Sequence, residues 1–174
     1  HVFRKPLFAT IHSTEIGRRN GIHFDYERMI HETEALLTYE AWKVICCSGY
    51  MVSHAQWAFG LPTDKRIMIP TGVNHEAYSK YGKEDLTQFR SKFALPDEKI
   101  VLFVGRLVYE KGAHVLVNAI PKISEKAIAK FVIVGNGYMR DQLSGLVKGM
   151  GLSHKVLFTG FVDDDTLRRL QKVA

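Results

Sequence analysis

The chain has 174 residues, 46% of them hydrophobic and 24% charged, which suits one or two globular domains with a buried core. No apolar run is long enough to form a membrane-spanning helix, so an integral helical membrane protein is set aside. The formal net charge of +6 suits an anionic ligand, but the basic residues are scattered, without a Lys/Arg block or interleaved aromatics, so no nucleic acid partner is expected.

The segment 7–11 (LFATI) reads as a short buried strand ending in the polar cluster His12-Ser13-Thr14-Glu15. Two glycines and an Asn-Gly pair make 17–23 loop-like. From Asp25 to about Trp42, the residues Tyr26, Met29, Ile30, Leu36, Leu37 and Tyr39 recur at helical spacing, which predicts a helix capped by Asp25. The next buried strand is 43–47 (KVICC). Cys46 and Cys47 are neighbours, so in a strand they face opposite ways. Neither a shared metal site nor a mutual disulfide is expected, and a reducing, cytoplasmic setting fits. Ser48 caps a helix running to about Phe59, which Gly60 and Pro62 stop. Trp42, Trp57 and the methionines fall at helical spacing and are expected in the core. A third strand, 66–69, closes at Pro70-Thr71-Gly72.

Over 74–98 the chain turns polar, with Gly82, Pro96 and only a modest helical pattern at 86–93. A domain boundary is expected there, with 1–78 and 99–174 as the two domains and 79–98 as the linker. The alternation then resumes. A strand over 99–104 precedes a helix over 112–123 built on Val115, Leu116, Ala119, Ile120 and Ile123. A strand over 131–134 leads through Gly135-Asn136-Gly137 to a helix with Met139, Leu143, Leu146 and Val147 on one face. A strand over 155–159 ends at Gly160, and Asp163-Asp164-Asp165 open a last helix, where carboxylates suit the positive end of the dipole. This rhythm signals an α/β fold with parallel sheets and crossover helices.

The chemistry concentrates in 101–112, VLFVGRLVYEKG. A buried strand that stops at a Gly and feeds a helix is the β-to-α turn of a doubly wound sheet, whose ligands sit outside the carboxyl ends of the strands. Arg106 and Lys111 would both stand at that edge beside a helix N-terminus whose free N–H groups favour anions. Two cations and a positive dipole end suit a diphosphate; an ordinary turn with two solvated cations is the alternative. Gly135 and Gly137 permit close backbone approach to a ligand, or a simple tight turn.

Four collinear pieces carry a family likeness: ATIHSTEIGRRNGIH at 9–23, IPTGVNHEAY at 69–78, GRLVYEKG at 105–112 followed by VIVGNG at 132–137, and FTGFVDDDTL at 158–167. The sequence resembles the retaining GT-B glycosyltransferases of glycosyltransferase family 4, closest to the glycogen/starch synthase branch. The resemblance implies two Rossmann-like lobes, both incomplete in this chain. It implies a nucleoside diphosphate sugar as donor, with ADP and UDP both open, a glycan as acceptor, and transfer of a hexose such as glucose. No cofactor or metal is implied, and Asp163-Asp164-Asp165 is better read as a helix start.

In that resemblance Arg106 and Lys111 match the pair that grips the donor diphosphate, and His12 matches the histidine facing the transferred sugar. Glu15 and Arg18 fit contacts to sugar hydroxyls or solvated loop charges. Asn136, with Gly135 and Gly137, lies where the nucleotide would, and Gly160, Phe161 and Val162 match the loop beside the base. The donor-contacting glutamates of the family fall outside this chain, so the fragment by itself is expected to be inactive. A non-catalytic nucleotide or glycan binding module of the same fold is the alternative. A dinucleotide oxidoreductase fits less well, because VGNGYM lacks the third glycine of a G-x-G-x-x-G fingerprint.

Overall fold

A computed structural model describes residues 5–174. The chain divides between Val73 and Asn74 into two compact units, each with its own three-stranded parallel sheet, as the α/β reading expects.

In the first unit β1 (Phe8–Ile11), β2 (Lys43–Cys46) and β3 (Arg66–Met68) lie in that order, with Ala9 opposite Val44 and Ile11 opposite Cys46. The helices are α1 (Glu15–Arg19), α2 (Asp25–Glu40) and α3 (Gly49–Phe59). Ser48 caps α3 by accepting from the Met51 N–H at 3.1 Å, and Gly60 ends it in the left-handed region at φ 62°. Part of the stretch read as loop is helical. Thr14 opens α1 by accepting from the Gly17 N–H, and the Asn-Gly pair marks only its end, with Asn20 left-handed at φ 55°. The cap of α2 is Phe24 rather than Asp25. Glu27 reaches back from the first turn to accept from the N–H groups of His23 and Phe24 at 2.8 and 3.2 Å, and the His23 contact leads in holding its carboxyl below the usual range.

The core of this unit is made of small and medium residues, Ala9, Ile11, Ala41, Val44, Cys46, Met51, Ala55 and Leu61. The apolar stripe of α2 is exposed at Tyr26, Met29, Leu36, Leu37 and Tyr39, while Glu27 and Thr38 are buried. Trp42 and Trp57 are likewise 57% and 69% exposed, against expectation, and of the methionines Met51 and Met139 are buried. Helical spacing locates an apolar stripe; it does not say what covers it.

The second unit contains α4 (Lys83–Arg90), β4 (Lys99–Val104), α5 (Ala113–Ser124), β5 (Ala129–Val134), α6 (Arg140–Gly149), β6 (Val156–Gly160) and α7 (Asp164–Val173), with strand order β4-β5-β6. The middle strand, β5, is buried on both faces. Phe131 and Ile133 pack with Val117 and Ile120 of α5 and Leu143 of α6, whereas Val132 and Val134 pack with Phe89 of α4 and Leu170 of α7. A continuous apolar run is what such a parallel strand requires. Each of these side chains contributes about 1.5–3 kcal/mol by leaving water.

Residues 79–98, expected as a linker, fold within this unit. Arg169 of α7 pairs with Asp85 and Asp165 at 2.6 and 2.7 Å and lies over the rings of Tyr81 and Phe89 at 5.1 and 5.6 Å. Lys80 and the Tyr81 hydroxyl also donate to Asp165, at 2.6 and 2.9 Å. The Lys80 ammonium, followed by Tyr81 and Arg169, holds the Asp165 carboxyl well below the usual carboxylate range.

At the carboxyl edge of this sheet three turns lock together through their main chains. The Gly105 N–H donates to Val134 O at 3.0 Å and the Leu107 N–H to Asn136 O at 2.9 Å. In return the Met139 N–H donates to Leu107 O at 3.0 Å, and the Gly135 N–H donates to Gly160 O at 2.8 Å. The contact leaves no room for side chains. A Cβ on Gly135, whose φ is 127°, would lie 2.0 Å from Gly105 O, and one on Gly137 would lie 2.3 Å from Leu107 O. Both glycines are explained by one turn approaching another.

Three substitutions test the stability of this unit. Gly137→Ala should cost about 3 kcal/mol by equilibrium urea unfolding. Gly145→Ala, in α6 with nothing within 4 Å of its added Cβ, should be neutral or stabilising by about 0.5–1 kcal/mol. Equal effects at the two positions would contradict the interlock. For Asp165, a carboxyl lowered by folding stabilises above its unfolded value of about 3.9 and loses that contribution as pH falls further. Asp165→Asn should therefore lower the urea midpoint at pH 7 and flatten its decline below about pH 4; an unchanged midpoint at pH 7 would refute the anchoring role.

Candidate functional site

The interlocked turns fix the backbone on either side of Arg106, since Gly105 and Leu107 each bond to the β5 turn. The Arg106 side chain is exposed. A 3₁₀ turn, Tyr109–Lys111, then folds Lys111 back: its Cβ would be 4.0 Å from a Cβ built on Gly105, which places both cations at the start of the same turn. Neither the Arg106 nor the Lys111 side chain makes a hydrogen bond or ion pair with another of the described residues. Gly112, left-handed at φ 72°, then redirects the chain into α5, and no side chain caps that helix. Two exposed cations thus flank an uncapped helix N-terminus at the carboxyl edge of a parallel sheet, an arrangement that attracts a dianion.

The other residues singled out in the second unit share this edge. Asn136 uses its Oδ1 to accept from the Gly137 N–H at 2.9 Å, and its carbonyl takes the Leu107 N–H. The Gly160 carbonyl accepts from both the Gly135 N–H and the Thr159 hydroxyl, the latter at 3.0 Å. Phe161 presents a ring that is 79% exposed, while Val162 packs against the cluster around Leu170.

In the first unit His12 follows the carboxyl end of β1 and is exposed, with its carbonyl 3.9 Å from the Cys47 thiol. Glu15 and Arg18 are not free loop charges. Glu15 is buried and accepts from Arg18 Nε and Nη2 at 3.1 and 2.5 Å. The Glu15 N–H in turn donates to both oxygens of Glu34, and Arg18 also reaches Ser13 Oγ at 2.8 Å. This network braces the turn that carries His12. Sequence reasoning missed its partner across the unit: buried Thr14 shares a hydrogen bond of 2.6 Å with His54 Nε2 on α3. Nothing local marks a contact 40 residues away. Among the described residues, no three His, Cys, Asp or Glu side chains gather as a metal site, and no helix is long and apolar enough to cross a membrane.

Comparison with known proteins relates the chain to two family models. Residues 85–174 match the family model Glycosyl transferases group 1, and residues 1–77 match Glycosyltransferase Family 4. An uncharacterized glycosyltransferase of Methanocaldococcus jannaschii is 43% identical over 176 residues, covering 100% of this chain and 45% of that protein. A glycogen synthase of Mycobacterium tuberculosis is 28% identical over 95% of this chain and 38% of its own length. The chain therefore spans less than half the length of these relatives. Among solved structures, Anabaena HepE in complex with UDP and glucose superposes with a TM-score of 0.79 at 22% identity, covering 98% of this chain and 45% of that one. WaaG, a glycosyltransferase involved in lipopolysaccharide biosynthesis, superposes with a TM-score of 0.72 at 15% identity, over 96% and 48%. Since the first of these models matches more than half of it, the chain belongs to the group 1 glycosyltransferases, with a family 4 match over its first 77 residues, and has the GT-B fold.

Proposed function

We propose that the protein carrying this chain is a retaining glycosyltransferase that moves a hexose, glucose in the first instance, from an ADP- or UDP-sugar to a glycan in a glycogen-synthase-like reaction. The observation that carries this reading is the pair of exposed cations, Arg106 and Lys111, whose side chains have no partner among the described residues, beside the uncapped start of α5. The HepE structure, which holds UDP and glucose, and the relationship to a glycogen synthase support it.

In this reading the guanidinium and the ammonium bind the diphosphate and counter its growing charge as the bond to the sugar breaks. The acceptor hydroxyl forms the new bond on the face the diphosphate leaves, and its proton passes to a diphosphate oxygen, so configuration is retained. His12 orients the sugar through a hydroxyl. The backbone around Gly135, Asn136, Gly137 and Gly160, with Phe161 and Val162, receives the nucleotide. Glu15 and Arg18, engaged with each other, act by holding the His12 turn. No metal or other cofactor takes part, and the two free cysteines suit a reducing cytoplasm.

The test uses the full-length protein with ADP-glucose and UDP-glucose. Arg106→Ala and Lys111→Ala should each lower kcat/KM by about 100-fold or more. Unchanged kinetics would remove both from the mechanism. Nucleotide binding with no transfer by the unaltered protein would instead favour a binding module.

A further inference from the structure

A groove of about 340 Å³ lies between α5 and α6, on the side of the second unit that bears the two cations' turn. Its walls are aromatic. Tyr109 stands between Arg106 and Lys111 in sequence and stacks on His114 with ring centres 4.6 Å apart and planes at 12°. Tyr138 follows Gly137, and its hydroxyl accepts from the Tyr109 N–H at 3.0 Å. Both tyrosines are therefore held in place by the fold, yet they are 66% and 74% exposed. The floor is apolar, from Met139 and Leu143, and the amides of Asn118 and Gln142 stand on the rim. Among the described residues, no Lys, Arg, Asp or Glu lines the groove.

Resting on the transferase reading, we propose that this groove is a second carbohydrate site, which holds roughly one or two pyranose rings of a neutral glycan beside the transfer edge. A pyranose has an apolar C–H face and a rim of hydroxyls. Tyrosine faces suit the first, and uncharged amides and phenol oxygens suit the second. A phosphate would find no cation here, and a lipid tail would leave the amides unpaired. A glycan tethered at Tyr109 and Tyr138 raises the effective concentration of its own chain end near Arg106 and Lys111.

The experiment titrates the full-length protein with maltotetraose, mannotetraose and chitotriose by calorimetry, and with ADP and UDP in parallel. At least one oligosaccharide should bind; Tyr138→Ala should weaken it tenfold or more and Gln142→Ala several-fold, with nucleotide binding unchanged. Tyr138→Phe, which keeps the ring, should retain most of the affinity. If no oligosaccharide binds while a nucleotide does, or if affinity survives Tyr138→Ala, the groove is not a sugar site and the transferase reading stands. A Tyr138→Phe protein as weak as the alanine variant would also overturn the aromatic-face argument. If Arg106→Ala leaves nucleotide binding intact, the transferase reading fails by itself, whatever the oligosaccharides do.

Discussion

The carbonyl oxygens of Gly105 and Leu107 point into space that side chains at Gly135 and Gly137 would fill. Because both positions carry only hydrogen, the turn after β4 can lie on the turn after β5, and four main-chain hydrogen bonds tie these to each other and to the end of β6. The ends of three parallel strands become one rigid edge. The main chain at Arg106 is held by its neighbours' bonds, and its guanidinium is exposed with no partner among the described residues. Preorganisation of this kind spares an anion the cost of ordering the loops that receive it.

Electrostatics divide along the same line. On the α4 and α7 side the charges are satisfied internally, with Lys80 and Arg169 committed to Asp85 and Asp165. In the first unit Arg18 and Arg19 are likewise committed to Glu15, Glu27 and Glu34. Individually such half-exposed pairs contribute little, about 0–1 kcal/mol. In the second unit their effect is on distribution: Asp85 and Asp165 are committed on the α4 and α7 side, while Arg106 and Lys111 stand at the head of α5.

Much of this organisation was legible in the sequence. The apolar runs of β4 and β5, the Ser48 cap and the Gly60 stop are local signals with local causes, and the structure has them all. α1 was hidden because Gly17 and the Asn-Gly pair look like loop, although only Asn20 and Gly21 terminate the helix. The exposure of Trp42, Trp57 and the α2 stripe was unreadable, since periodicity reports a face and not its cover. The two glycines of VGNG could be recognised as sites of close approach, but what approaches them is a carbonyl some thirty residues earlier in the chain. For the same reason the Thr14–His54 bond and the Tyr109–Tyr138 latch emerge only in three dimensions.

The central claim is that Arg106 and Lys111 together hold the diphosphate of an activated sugar at an edge already built to receive it. A crystal structure of the full-length protein with bound ADP or UDP tests this most directly. The account predicts diphosphate oxygens within hydrogen-bonding distance of both side chains, over the start of α5, with the 105–107 and 135–137 main chains unmoved. A diphosphate seated elsewhere, with both cations in solvent, would contradict it.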